Sequence, residues 1–232
     1  SSFNMYGDSI TGNTANSYGG GVYVDGGGFT MSGGTIGGTK TGETNTATYG
    51  GGGVYAKANF EMTGGSITGN ETNRGGGVYV TGKGSFTMSA SADGQNIPSI
   101  TGNNATENGG GVYVIGSSST FEMTGGSITG NNAAYGGGVC VSKNGSFEMS
   151  GSSCITNNKA DSYGGGVNIN YASATFTMKG GSITGNNAYK SDYISTFGGG
   201  VCVGNGTFTM TDGSITGNNA AYGGGVDTVN EF

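Results

Sequence analysis

The chain has 232 residues, a formal net charge of −6 and no histidine, and 55 of its residues are glycine against a single proline. Without histidine the usual triad base and the commonest metal ligand are missing, and eight Lys and Arg, spread singly, make no basic patch of the kind nucleic acids require. Hydrophobic residues make up only 32%, thin for an ordinary globular core, and no run approaches the roughly 18 apolar residues of a membrane-spanning helix.

The glycines recur at fixed places, which points to an ordered solenoid rather than low-complexity chain. A string close to FEMTGGSITGNNAAYGGGVCV, residues 121–141, occurs eight times. Each copy opens on Phe-x-Met: Phe3/Met5, Phe29/Met31, Phe60/Met62, Phe86/Met88, Phe121/Met123, Phe147/Met149, Phe176/Met178 and Phe208/Met210. The middle residue is polar in every copy, so these are strands with one buried face. A second strand centres on Ile10, Ile36, Ile67, Ile100, Ile128, Ile155, Ile183 and Ile215, flanked mostly by Ser or Thr. Three residues later stands Asn13, Thr39, Asn70, Asn103, Asn131, Asn158, Asn186 or Asn218. Asn repeated at one turn position tolerates left-handed geometry and bonds to its equivalents above and below. An Asn ladder broken only at Thr39 is therefore expected.

The third strand begins at Val22, Val54, Val78, Val112, Val139, Val167, Val201 and Val226, each preceded by a Gly triplet. The triplet reads as a tight stacked corner, since glycine alone takes positive φ freely and lets backbones approach closely. After the Val, alternation points Tyr23, Tyr55, Tyr79 and Tyr113 outward; Cys140, Asn168, Cys202 and Asp227 then occupy that place. Before the triplet the reading places Tyr18, Tyr49, Tyr135, Tyr163, Phe197 and Tyr222, with Arg74 and Asn108 as exceptions. Successive Val positions lie 24 to 34 residues apart, so the turns vary while the strands hold. Three turns are long: 39–48, 89–99 and 189–197.

The predicted fold is all-β: a right-handed, single-stranded parallel β-helix, or β-solenoid, of about eight coils of three short strands. It forms one repeat domain over residues 1–232, about 38 Å long at 4.8 Å per coil. Cys140 and Cys202 fall two coils apart, about 9.6 Å, too far for a disulfide.

The GGGV and ITGN elements resemble the polymorphic outer-membrane-protein repeat of bacterial surface proteins, in which GGA followed by Ile, Leu or Val alternates with FxxN. Here GGGV stands for the first and ITGN for the second, with Ile for Phe, over the whole chain. The resemblance implies a parallel β-helix at the cell surface, adhesin-like or stalk-like, and brings no catalytic residues with it.

Three candidate chemistries stand beside a purely structural reading. Glu122 and Glu148 share one outward column in adjacent coils, about 4.8 Å apart, close to the separation of a retaining glycosidase. They lack an aromatic floor or a convergent polar cluster. The Ser and Thr columns beside the Ile resemble the Thr-x-Thr face of ice-binding solenoids, though Gly37 and Cys154 interrupt them; short polar β-formers also suit a solvated strand. Tyr23, Tyr55, Tyr79 and Tyr113 form either an exposed ligand-binding stripe or a stabilising aromatic ladder. Tyr189, Tyr193 and Phe197 put three more aromatics in a long loop, where binding function concentrates; deleting 191–195 is expected to change binding and not stability. N-x-Ser/Thr sequons begin at Asn70, Asn104, Asn144 and Asn205, as chance allows in so Asn-rich a chain.

No GxGxxG or P-loop context and no calcium nonapeptide occurs, so no cofactor, metal or catalytic residue is expected. The function expected is a non-enzymatic extracellular or cell-surface scaffold, adhesin-like or fibre-forming. The alternatives are a carbohydrate-binding surface protein, an ice-binding solenoid or a polysaccharide-degrading β-helix enzyme. Residue 1 already lies inside a repeat, no signal peptide is visible, and Phe232 falls where a ninth Phe-x-Met would begin. A longer array, or a second copy stacked end to end, is therefore expected as partner beside a glycan or protein, with no nucleic acid and no membrane insertion of this segment.

Overall fold

The structure, a computed structural model, describes residues 1–189 and 195–229; the expected Phe232 contact lies outside them. Among these residues all strand pairing is parallel and no α-helix occurs, so none is long and apolar enough to cross a membrane. The strands stack into a β-solenoid of three parallel sheets, and each residue pairs with its equivalent one coil away.

The Phe-x-Met strands, from Ser2–Met5 onward, and the Ile strands, from Ser9–Ile10 onward, form one 14-stranded sheet. They join because Thr175–Thr184 and Thr207–Thr216 run unbroken through the corner between them. The Val strands, Val22–Val24 through Val226–Thr228, make an 8-stranded sheet. A third, 7-stranded sheet lies where the sequence predicts only turn. It runs from Thr14–Ala15 to Asn187–Ala188 and buries one small residue in each of coils two to seven: Ala47, Thr72, Ala105, Ala133, Ala160 and Ala188. Its signal is an Ala or Thr two residues after the Asn ladder, too short and too weakly apolar to read as a strand by alternation.

The core is a set of ladders. Phe29, Phe60, Phe86, Phe121, Phe147 and Phe176 are fully buried beside Met31, Met62, Met88, Met123, Met149 and Met178, against Ile36 to Ile183 and the Val strands. Along the whole series from Phe3 to Phe208, successive rings lie 4.6–4.9 Å apart within 16° of parallel. The strand spacing dictates this stacking, and each buried ring contributes about 1.5–3 kcal/mol relative to exposure. The ladder opens at both ends, where Phe3 and Met210 are 44% and 42% exposed.

Each glycine of a triplet has its own reason. The first has left-handed φ throughout, 56° to 70°, and turns the chain from the Ala sheet into the Val strand. The second abuts backbone of the next coil: a Cβ on Gly110 would lie 2.5 Å from the carbonyl oxygens of Asn132 and Gly137. The third fills the interior against the next coil's Ile and Asn; a Cβ on Gly111 would meet Ile128 Cγ2 at 2.8 Å.

The Asn ladder is continuous, which corrects the expected break at Thr39. Asn45 fills coil two: its Oδ1 accepts from Asn13 N at 2.9 Å, and its Nδ2 donates to Asn70 Oδ1 at 3.0 Å. The 39–44 segment is inserted before the chain regains register, so counting a fixed distance from Ile36 stops short. The left-handed residue of this corner is also not the ladder Asn but the residue before it, Gly12, Gly69, Gly102, Gly130, Gly185 or Gly217, and Asn157 in coil six.

Candidate binding surface

Tyr55, Tyr79 and Tyr113 point away from the main core yet are buried, at 7%, 9% and 5% exposure. Only Tyr23, at the open end, is half-exposed. The expected exposed stripe is therefore corrected to a second apolar cluster that ends on the buried Cys140. Alternation reads which way a side chain points but not what lies over it. Here the left-handed glycine folds the preceding residue back over the column. Tyr18 covers Tyr55 with ring centroids 4.5 Å apart, and Tyr79 meets Tyr55 edge-on at 5.0 Å.

The covering column is also corrected in coil two. Four glycines stand there, and Gly50, not Tyr49, pairs with Tyr18. The Tyr79 ring lies against Gly50, where a Cβ would overlap it. From coil five the aromatic mass changes column: Tyr135, Tyr163, Phe197 and Tyr222 stack at 5.6, 5.3 and 5.0 Å, while the inner column shrinks to Cys140, Asn168 and Cys202. Phe197 thus belongs to a structural ladder. Tyr189 is 52% exposed outside that stack, and Tyr193 lies outside the described residues.

Burial pushes the Tyr55, Tyr79 and Tyr113 hydroxyls up, aided at Tyr55 by Tyr79 and Tyr18 and at Tyr113 by Cys140, and opposed at Tyr79 and Tyr113 by Arg74. In the unfolded chain tyrosine ionises near pH 10. A raised folded value means the folded chain holds these protons longer; their stabilising contribution is complete below about pH 10 and is lost as pH rises through the folded values. The melting temperature should therefore fall above about pH 10, and less so in Tyr55→Phe and Tyr113→Phe. Ultraviolet titration in which all tyrosines ionise together near pH 10 would contradict this.

Cys140, Cys154 and Cys202 are free thiols. Asn168 stands between Cys140 and Cys202 in register, and burial pushes both thiols up to about 12. Asn70, first of the sequons, is fully buried in the ladder.

No family model, no curated protein and no solved structure matches this chain. Its chemistry therefore rests on its own side chains. Glu122 and Glu148 are paired in register as expected, and Lys179 Nζ donates to Glu148 Oε1 at 2.8 Å. Thr120 and Ser146 flank them. Among the described residues no three His, Cys, Asp or Glu side chains converge as a metal site requires.

The largest departure from the repeat lies where the aromatic column switches. Asn108 stands between Arg74 and Tyr135 in the covering column, and the small Cys140 follows Tyr113 beneath. The result is a cavity of about 360 Å³ over Tyr113, walled by Arg74, Tyr135 and Ile115, by Asn170 at the end of its strand and by the turn residues Lys143 and Tyr171. Arg74 and Glu107 pair across coils at 2.6 Å. Tyr171 has φ 81° and is 48% exposed. The same place in the equally long turn of coil four is Gly116, φ 103°. A left-handed L-residue costs about 1–2 kcal/mol, so the ring is held at a position that suits glycine. Asn108 and the Tyr-to-Cys switch are legible in the sequence as irregularities, but no local pattern brings them to one place with a turn residue two coils away.

Proposed function

We propose that this chain is a non-enzymatic scaffold that works outside the cell or at its surface, displaying side chains on a rigid stack. The observation that carries the reading is where the repeated residues go: Phe, Met, Ile and Val fill the core, Asn forms an internal hydrogen-bonded ladder, and the glycines permit the close coils. Variation is left to turns and outward columns, the parts of a solenoid free to serve binding. The likeness of GGGV and ITGN to the polymorphic outer-membrane-protein repeat supports a surface, adhesin-like setting in bacteria. Lys and Arg are few, eight in 232 residues, which suits resistance to trypsin-like proteases outside the cell. Glu122 and Glu148 on an open strand face, one of them engaged by Lys179, are better read as solvated surface carboxylates than as an acid–base pair.

Two measurements test this. Antibody against the chain should label intact cells of the source; labelling only after permeabilisation would overturn the surface assignment. Incubation with uronic-acid and neutral polysaccharides should release no new chain ends. Turnover that disappears in Glu122→Gln would make the protein an enzyme.

A further inference from the structure

We infer that the cavity at the column switch, across coils three to six, is a binding site for an acidic saccharide. It goes beyond the scaffold reading and does not depend on it, because a scaffold needs no ligand and the cavity is built from residues other than Glu122 and Glu148.

Its shape comes from a break in an otherwise strict repeat. Asn108 stands where coils five to eight carry an aromatic ring, and the space so opened, about 360 Å³, is of the size that takes a sugar ring or two. Tyr135 and Tyr171 wall it and Tyr113 floors it. Aromatic faces are electronegative and receive the electropositive C–H face of a pyranose. Tyr171 is the telling residue. Its turn adopts the backbone that coil four gives to Gly116, and a half-exposed ring keeps that left-handed conformation with no core to fill. Among the described residues, seven other non-glycine residues share a positive φ in bends and turns; what sets Tyr171 apart is that its position carries a large ring that lines the cavity.

The polar groups fit the same ligand. The Asn108 and Asn170 amides line the cavity, and the Asn170 Oδ1 is buried without a hydrogen-bond partner. Amides supply both donors and acceptors, which is what sugar hydroxyls need. The charges select an acid. Arg74 is matched by Glu107 at 2.6 Å. Lys143 is in no ion pair among the described residues and sits 5.3 Å above the Tyr171 ring. The cavity thus carries one positive charge outside any ion pair on a chain of net charge −6, held over one face of the Tyr171 ring, so a sugar stacks on the other face or displaces the ammonium, which its carboxylate then engages.

The test is a nuclear magnetic resonance titration of the whole 232-residue chain with a hyaluronan tetrasaccharide, which carries glucuronate. Chitotetraose, which shares the N-acetylglucosamine but has no carboxylate, is the comparison. The expected result is saturable shifts centred on Asn108, Tyr135, Lys143, Asn170 and Tyr171, with at least tenfold weaker binding of chitotetraose. Tyr171→Gly should weaken binding at least tenfold and leave the melting temperature unchanged or higher, because glycine suits that φ. Lys143→Gln should erase most of the preference for the acidic sugar. Shifts elsewhere, no saturation, equal affinity for both sugars, undiminished binding by Tyr171→Gly, or a lower melting temperature of that variant would each overturn the assignment. Polysaccharide turnover lost in Glu122→Gln would overturn the scaffold reading and leave this site standing.

Discussion

Gly137→Ala is expected to destabilise the protein by about 3 kcal/mol or more, whereas Gly224→Ala, at the same repeat position in the last coil, should change stability by less than about 1 kcal/mol. Neither glycine has left-handed φ, so the contrast is one of space. A Cβ on Gly137 would overlap the Lys159 carbonyl and lie 2.7 Å from Gly165 O. These are backbone atoms of the next coil, and they cannot retreat singly. Gly137 N, Gly138 N and Val139 N donate to Gly164 O, Gly165 O and Gly166 O at 3.1, 3.2 and 2.9 Å, so relief means breaking the ladder. Overpacking a well-packed site costs about 1–3 kcal/mol when side chains can adjust, and more when they cannot. In the last coil the nearest atom to a Cβ on Gly224 is Asn218 O at 3.1 Å, and alanine there also reduces the freedom of the unfolded chain. Urea denaturation of the two variants measures the difference. Equal midpoints would mean that the coils do not approach as closely as this.

The solenoid itself was legible because its strongest signals are short and repeated. Phe-x-Met and Val-x-Val alternate with period two in nearly every coil, and the triplet marks one corner by a property only glycine has. What escaped was whatever depends on the path between strands. The Ala sheet was missed because a single small residue such as Ala133 or Ala160 buries too little to announce a strand. The burial of Tyr113 was missed because alternation assigns a side and not a cover, and the cover comes from residues brought back by the left-handed Gly75 and Gly109. The candidate cavity was legible only in pieces. Asn108 and Cys140 stood out as exceptions within their columns, but Tyr171 meets them through coil stacking and not through any local pattern. The outward carboxylates were the opposite case: Glu122 and Glu148 share a strand position, so their pairing could be read from the repeat alone.

Asn45 offers the sharpest test of how the internal ladder is built, since fixed spacing assigns its place to Thr39. Thr39→Ala, on an exposed residue of the inserted segment, should alter stability by less than about 0.5 kcal/mol. Asn45→Ala should cost about 2–4 kcal/mol, and Asn131→Ala, in the middle of the stack, about 3–5 kcal/mol. The reason is what each amide satisfies. Asn131 Oδ1 accepts from both Asn103 N and Asn103 Nδ2, at 2.9 and 3.0 Å, while its Nδ2 donates to Ile100 O at 3.0 Å and Asn158 Oδ1 at 2.9 Å. Truncation leaves the Asn103 N–H and the Ile100 carbonyl buried without partners, at about 1–3 kcal/mol each, and cuts a chain of amides that polarise one another. Asn45 makes the same set, accepting from Asn13 and donating to Ile10 O and Asn70 Oδ1, but its neighbour Asn13 is exposed to water, which softens the loss. Against a total stability of about 5–15 kcal/mol for a typical domain, the Asn131 change alone removes a large share. Chemical denaturation of the three variants should rank them Thr39, Asn45, Asn131 in rising cost. A Thr39→Ala variant as damaged as Asn45→Ala would put the threonine in the ladder and shift the register of coil two.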